Sequence, residues 1–162
     1  LGHGANLSDE FCLELGDTFL EFNCAKTGVV EGAHDLLDYL KSRGYRLHIC
    51  SNGFTEVQYR KLDMVGMSDY FDTIVLSEQV GVNKPSPKFF EFAFSQSKAV
   101  AASTIMIGDN LNTDIQGAIG VGLDTIYFNR YHQHLPCSSS LAPTVPRPTF
   151  TVYALDEVKQ IL

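Results

Sequence analysis

IMIGDNLNTDIQGA, residues 105–118, decides the fold, because it joins a short apolar run to two carboxylates. The apolar run predicts a buried strand, Gly108 allows another part of the chain to approach its end, and Asp109 follows directly. Asp114 lies at the start of a predicted helix, from which its carboxylate can turn back toward Asp109. Two carboxylates that face one point repel each other unless a cation lies between them, and oxygen ligands with bound water suit Mg²⁺. The stretch therefore predicts a strand, a helix and a magnesium site at their junction.

The segments on either side repeat this strand-to-helix pattern. Strands that alternate with helices of this length predict right-handed crossovers and a parallel sheet covered on both faces, which is an α/β fold of three layers, Rossmann-like. The predicted strands cover residues 45–51, 72–77, 104–109, 124–129 and 149–155. The predicted helices cover residues 7–22, 32–43 ended by Gly44, 55–66 capped by Thr55, 84–94 started by Ser86 and Pro87, 113–120 and 156–162. Residues 7–22 form either one amphipathic helix or a helical hairpin interrupted at Gly16. Residues 129–148 hold four prolines and predict a long loop.

The composition favours a soluble, single-domain, cytoplasmic protein. The net charge is -7 and the 12 Lys and Arg residues are scattered, which argues against nucleic-acid binding. No apolar run approaches the roughly 18 residues that a membrane span needs. The four cysteines form no CxxC pair, so we expect reduced thiols.

Further polar residues follow the other predicted strands, where parallel sheets bind their ligands. The Ser51 hydroxyl, with the backbone amides of Asn52 and Gly53 ahead of a helix, would bind a phosphate or a carboxylate. Lys84 precedes Pro85, which favours an extended backbone and places a cation at a strand-to-helix junction. Taken singly, these features also fit a turn, a solvated lysine and acids in a helical first turn. Together with the two carboxylates they supply what phosphoryl transfer requires.

These motifs resemble those of haloacid dehalogenase superfamily hydrolases over residues 32–130. The matching stretches are ICSNG, GVNKPSP and GDNLNTD, and the first two with their flanks are similar to the branch that acts on pyrimidine 5'-nucleotides. The resemblance implies a Mg²⁺-dependent phosphatase of small phosphomonoesters. It further implies that Ser51 binds the phosphoryl oxygens, Lys84 neutralises the nucleophile and the phosphate, Asp109 ligates Mg²⁺, and Asp114 supports or shares that ligation.

One part of the family pattern is missing. The nucleophile of this family lies in a DxDxT motif after the first strand, and the 162 residues contain no such motif; Asp17 in GDTF does not fit it. We therefore expect the chain to begin after the nucleophile and to lack the central first strand, with residues 1–28 as the C-terminal part of a helical cap and residues 29–162 as a partial core. Such a chain should be inactive alone. The gap beside the strands ending at Ser51 and Asp109 would be filled by a retained N-terminal fragment, closed by direct pairing, or covered by self-association.

Other functions remain open at this stage. A phosphomutase or a dehalogenase uses the same fold, although a dehalogenase needs no metal. A receiver domain also combines acids, a hydroxyl and a lysine, but there the acids come first in the chain. A non-catalytic remnant could keep Mg²⁺ and anion binding without turnover.

Overall fold

A computed structural model of the chain describes residues 8–24, 28–132 and 147–162. The helices are α1 (Asp9–Cys24), α2 (Ala33–Ser42), α3 (Thr55–Met64), α4 (Ser77–Val80), α5 (Pro87–Ser97) and α6 (Gln116–Gly120). The strands are β1 (His48–Ser51), β2 (Thr73–Leu76), β3 (Ile105–Gly108), β4 (Asp124–Phe128) and β5 (Phe150–Val152). Short 3-10 helices lie at Ser68–Tyr70, Ala101–Ser103 and Leu155–Gln160, and one π-helical turn lies at Leu111–Ile115.

The strands form two parallel sheets. β1 pairs with β2, and β4 lies between β3 and β5, all in parallel register. This confirms the predicted α/β class with parallel strands. Within the described residues β1 and β3 belong to separate sheets, so the structure does not close the expected gap by pairing the two strands.

Two apolar clusters cover opposite faces of the strands. Alternate residues of β3 divide between them: Ile105 and Ile107 pack with one cluster and Met106 with the other, as a period of two requires. The first cluster contains Leu36, Leu40, Ile126, Val152 and Val158, and the second contains Val75, Phe89, Phe90, Ala118 and Leu123. Helices therefore lie on both faces, which gives the three predicted layers.

Several helix ends were predicted correctly. Gly44 follows α2 with φ 84°, in the left-handed region that favours glycine, and Ser86 and Pro87 occupy the N-cap and first position of α5. The N-cap of α3 is Phe54 rather than Thr55, whose amide donates instead to the Glu78 carboxylate at 2.7 Å.

α1 is the continuous alternative of the two predicted for this segment, and it runs through Gly16 because a single glycine costs a helix only about 1 kcal/mol. Two predicted helices differ from the structure in type. The segment after β3 starts as a π-helical turn, and the closing helix is of the tighter 3-10 type. Within the predicted loop at 129–148, residues 133–146 lie outside the described part of the chain.

None of the helices in the described ranges has the length and apolar content needed to cross a bilayer. Among the cysteines whose side chains are described, Cys12 and Cys50 are free thiols, and Cys137 lies outside the described residues.

Candidate active site

The candidate site lies where β1 and β3 end. Ser51 is the last residue of β1, and Asp109 directly follows the last residue of β3. Lys84 lies between α4 and α5, and Asp114 lies in the π-helical turn that leads into α6. Each of the four predicted residues therefore follows or faces the carboxyl end of a parallel strand, where such sheets bind ligands.

Lys84 and Asp114 form a buried ion pair. The Lys84 Nζ lies 2.7 Å from the Asp114 Oδ1, and the two side chains are only 7% and 9% exposed. The same ammonium also donates to the Cys50 carbonyl oxygen of β1 at 2.5 Å. A buried charge is tolerated only when it is paired and hydrogen-bonded, so each partner holds the other in place. The pair joins the end of β1 to the turn after β3.

The turn after β3 holds the Asp114 carboxylate from the other side. The Asn110 amide donates to Oδ2 at 3.2 Å, and the Thr113 hydroxyl donates to Oδ1 at 3.2 Å. The Asn110 side chain caps the turn by accepting from the amides of Asn112 and Thr113 at 3.0 and 3.1 Å. Both Asp114 oxygens are thus engaged. Asn110 is not among the residues predicted for the site, although an asparagine ahead of a predicted helix is a strong N-cap signal.

Gly108 leaves the space that this carboxylate occupies. A Cβ atom at Gly108 would lie 2.5 Å from the Asp114 Cβ and 2.6 Å from its Oδ2, much closer than atoms in real contacts. The glycine predicted to permit close approach does so, and the group that approaches is Asp114.

Asn52 contacts Lys84 through its side chain. Its Oδ1 accepts from the Lys84 amide at 2.8 Å, and its Nδ2 donates to the Lys84 carbonyl at 3.0 Å. The adjacent Ser51 is half-buried, and no described residue hydrogen-bonds its hydroxyl. Gly53 follows in the turn, where an added Cβ atom would lie 2.7 Å from the Gln58 Nε2. Ser51 ends β1 and residues 52–53 lie ahead of α3, while the Asn52 side chain is bonded to Lys84.

Asp109 differs from Asp114 in its surroundings. It is exposed, and no side chain or amide in the described residues bonds to its carboxylate. Its negative charge still reaches Tyr127 on β4: burial raises the pKa of the Tyr127 phenol, and Asp109 raises it further. Asp109 therefore follows Gly108, which approaches Asp114 closely, but it does not take part in the Lys84 and Asp114 ion pair.

A cavity of about 440 Å³ opens beside Asp109. Its walls come from β3, α3 and the segment before α2, and they are mainly apolar, with Val29, Leu62 and Ile107 among them. Lys61 is the cation of its lining. A carboxylate at the edge of an apolar cavity suits a ligand that has one charged end and one apolar end.

Cys50, whose carbonyl oxygen accepts from Lys84, carries a thiol close enough to feel the charges of the ion pair. Burial raises the pKa of its thiol, and the nearby Asp114 raises it too, against the opposing effect of Lys84. Because the thiolate is the reactive form, Cys50 is a packed thiol and not a nucleophile at neutral pH.

The carboxylates of Asp109 and Asp114 suit a Mg²⁺ ion that takes its other ligands from water and substrate. No group of three or more His, Cys, Asp or Glu side chains converges among the described residues. Mg²⁺ needs no such cage, because it keeps several waters and is usually held by one or two carboxylates and a substrate phosphate. Asp109 has free oxygens for this role. Asp114, bonded at both oxygens, fits better as a neighbour that orients Lys84.

Comparison with known proteins gives a consistent result. The sequence model of the haloacid dehalogenase-like hydrolases matches residues 4–122. The chain is 35% identical to the pyrimidine 5'-nucleotidase PynA of Streptococcus pneumoniae over 164 residues, which is 98% of this chain and 66% of that protein. It is also 35% identical to the pyrimidine 5'-nucleotidase YjjG of Escherichia coli over 150 residues, covering 92% of this chain and 63% of that one.

The fold agrees with these sequence matches. The crystal structure of the HAD-hydrolase YfnB of Bacillus subtilis, bound to magnesium, matches with a TM-score of 0.82 and 28% identity, over 97% of this chain and 65% of that chain. The chain spans just under two thirds of the length of each of these three proteins. The chain belongs to the haloacid dehalogenase-like hydrolase family.

Proposed function

We propose that this chain carries the phosphate-binding part of a Mg²⁺-dependent phosphatase that hydrolyses small phosphomonoesters, nucleoside 5'-monophosphates among them. The observation that carries the proposal is the buried Lys84 and Asp114 pair, 2.7 Å apart, at the strand ends that also hold Ser51 and Asp109. Phosphoryl transfer depends on positioning and on neutralising charge, and a lysine fixed in a desolvated site supplies both. The relatives named as pyrimidine 5'-nucleotidases support this class of substrate.

Each residue has a role that follows from its contacts. Lys84 neutralises a phosphoryl oxygen, because its ammonium is fixed by Asp114 and by the Cys50 carbonyl. Ser51 offers an unbonded hydroxyl beside the backbone amides of residues 52–53. Asp109 presents carboxylate oxygens to Mg²⁺, and Asp114 keeps Lys84 oriented. Bound Mg²⁺ supplies charge neutralisation on the phosphoryl group.

We assign the nucleophile to a segment outside these 162 residues, because they contain no DxDxT motif. The break between the β1 and β3 sheets, beside the cavity at Asp109, is the place that such a segment would occupy. In this proposal residues 1–28 belong to a helical cap, residues 29–162 form the core, and the free thiols suit the cytoplasm.

A chimera tests the proposal. The chain alone is compared with the chain fused to the part of YjjG that it does not match, using p-nitrophenyl phosphate and a panel of nucleoside monophosphates. We expect no turnover from the chain alone and Mg²⁺-dependent turnover from the chimera. Lys84→Met should lower kcat/KM of the chimera by about 10²–10³-fold, the loss typical of one charge-stabilising group. Asn83→Ala, an exposed neighbour, is the matched control.

The outcomes separate the alternatives. A folded chimera that binds Mg²⁺ and phosphate without turnover would favour a non-catalytic remnant. Turnover that is unchanged by Lys84→Met would contradict the proposed role of the ion pair.

A further inference from the structure

We propose that Asn52 is a positioning residue whose side chain fixes the backbone of Lys84 and thereby the place of its ammonium group. The inference rests on the proposed function in that Lys84 is taken to meet the phosphate. It adds to the predicted role of the Asn52 backbone amide, since the side-chain amide is committed to Lys84.

The two hydrogen bonds form a matched pair. The Asn52 side-chain amide bonds both backbone polar groups of Lys84. Its Oδ1 lies 2.8 Å from the Lys84 nitrogen and its Nδ2 lies 3.0 Å from the Lys84 carbonyl oxygen. A carboxamide carries a donor and an acceptor side by side in one plane, so it can pair with a backbone N–H and C=O together. Two bonds from one rigid group fix direction as well as distance.

Without Asn52, the position of the Lys84 ammonium would depend on a flexible loop and a long side chain. Lys84 lies in the loop between α4 and α5, and its four-carbon stem is flexible. Its ammonium nevertheless meets the Asp114 carboxylate at 2.7 Å and the Cys50 carbonyl at 2.5 Å. Both contacts need the Lys84 backbone at a fixed place, because a hydrogen bond weakens beyond about 3.2 Å.

The contacts form a closed loop of bonds. The end of β1 and the residue after it reach Lys84 twice, through the Cys50 carbonyl and the Asn52 side chain, and Lys84 then reaches Asp114. Asn52 itself is exposed, so its amide bonds are made at the solvent-facing edge of the site. An exposed polar side chain that makes two hydrogen bonds to one distant residue stabilises the position of that residue.

The test follows the Lys84 ammonium by nuclear magnetic resonance of ¹⁵N-lysine-labelled chain. A buried, bonded ammonium exchanges its hydrogens slowly and gives its own signal, whereas exposed lysines do not. Asn52→Ala should accelerate that exchange, and the exchange of the Lys84 backbone amide, by about tenfold or more, because two hydrogen bonds are lost. Asn83→Ala, in the same loop and of the same residue type, should leave both rates unchanged.

A merely structural role predicts a different pattern. It would accelerate the slow amides of β1, β3 and α5 together with Lys84 and lower the thermal midpoint accordingly. Asn52→Asp serves as a second variant if Asn52→Ala fails to fold, because it keeps the acceptor for the Lys84 amide and loses the donor to the carbonyl. It should give an intermediate acceleration. Unchanged Lys84 exchange in the folded variants, or equal acceleration throughout the core, would overturn the inference.

Binding of inorganic phosphate separates this inference from the proposed function. We expect Asn52→Ala to weaken phosphate binding about tenfold and Lys84→Met to weaken it at least as much. If neither the unmodified chain nor its variants bind phosphate, the proposed function fails, while the exchange rates still decide whether Asn52 positions Lys84. If Lys84→Met weakens binding and Asn52→Ala does not, the positioning role fails alone.

Discussion

Replacement of Gly108 by alanine should separate Lys84 from Asp114. The new Cβ would lie 2.5 Å from the Asp114 Cβ and 2.8 Å from its Cγ, and this residue is fixed by several bonds. Movement of Asp114 to relieve the overlap would disturb the 2.7 Å bond between its Oδ1 and the Lys84 ammonium. Overpacking costs about 1–3 kcal/mol, and breaking a buried pair costs about 3–5 kcal/mol. Alanine also lowers the conformational entropy of the unfolded chain, which offsets about 0.4–1 kcal/mol of this loss.

These terms give a net loss of about 3–7 kcal/mol. For a chain of this size each kcal/mol moves the thermal midpoint by about 2–4 °C, so the variant should melt at least about 6 °C lower. Differential scanning calorimetry measures this. Gly120→Ala is the matched control, because nothing lies within 4 Å of a Cβ at that position and it should be neutral or slightly stabilising.

The same variants report on the site. The slowly exchanging Lys84 ammonium signal should disappear in Gly108→Ala and persist in Gly120→Ala. If Gly108→Ala melts within about 2 °C of the unmodified chain and keeps the ammonium signal, then the turn adapts to the extra methyl group and the reasoning from close contact is wrong.

Three other perturbations have definite expected outcomes. Lys84→Met and Asp114→Asn should each lower the free energy of unfolding by about 3–5 kcal/mol, because each leaves a buried group without its partner. The double variant should lose less than the sum of the two single variants. Urea unfolding of the four proteins measures this coupling, and strict additivity would contradict the prediction. Asp109→Asn should lower the raised pKa of Tyr127 toward its ordinary value without reaching it, since burial is the larger cause of the shift. Mg²⁺ added to the unmodified chain should lower the Tyr127 pKa in the same way if the ion binds Asp109. The ¹³C signals of labelled tyrosine measure this pKa, and a pKa that does not move in the variant would contradict the prediction. Burial, and to a lesser extent Arg46, lowers the pKa of His48. The unfolded chain therefore takes up the proton first, and the free energy of unfolding falls as the pH drops below about 6.5. His48→Val should remove this pH dependence when the free energy of unfolding is measured at several pH values, and a dependence that persists would show that another group causes it.

The sequence predicted the layers and the convergence of polar groups because both depend on local rules. Alternating apolar residues set the two faces of β3, and Gly44 and Pro87 mark helix ends by their own backbone preferences. Lys84 and Asp114 meet because parallel strands end at one edge of the fold. Their catalytic roles, and those of Ser51 and Asp109, stay predictions.

The remainder depends on contacts between distant segments. The Asn52 carboxamide finds the Lys84 backbone 32 residues away, and nothing in a Ser-Asn-Gly turn distinguishes this from a local cap. The π-helical turn at Leu111–Ile115 combines both kinds of contact, since Asn110 and Asp114 bond the turn amides locally while Asp114 also accepts from Lys84, 30 residues away.

The polar site also joins the two sheets at their carboxyl ends. Apolar clusters connect the sheets deeper in the fold, with Cys50 and Met106 packed into the same one. At the edge, the described links between β1 and the turn after β3 run through Lys84, which meets Cys50 on one side and Asp114 on the other. A hydrogen-bonded ion pair in a desolvated site keeps its geometry in salt that would screen an exposed pair. The distance between the two sheets at this edge is therefore set by the same lysine that is proposed to meet the phosphate, so a change that loosens the edge should weaken phosphate binding before it unfolds the core.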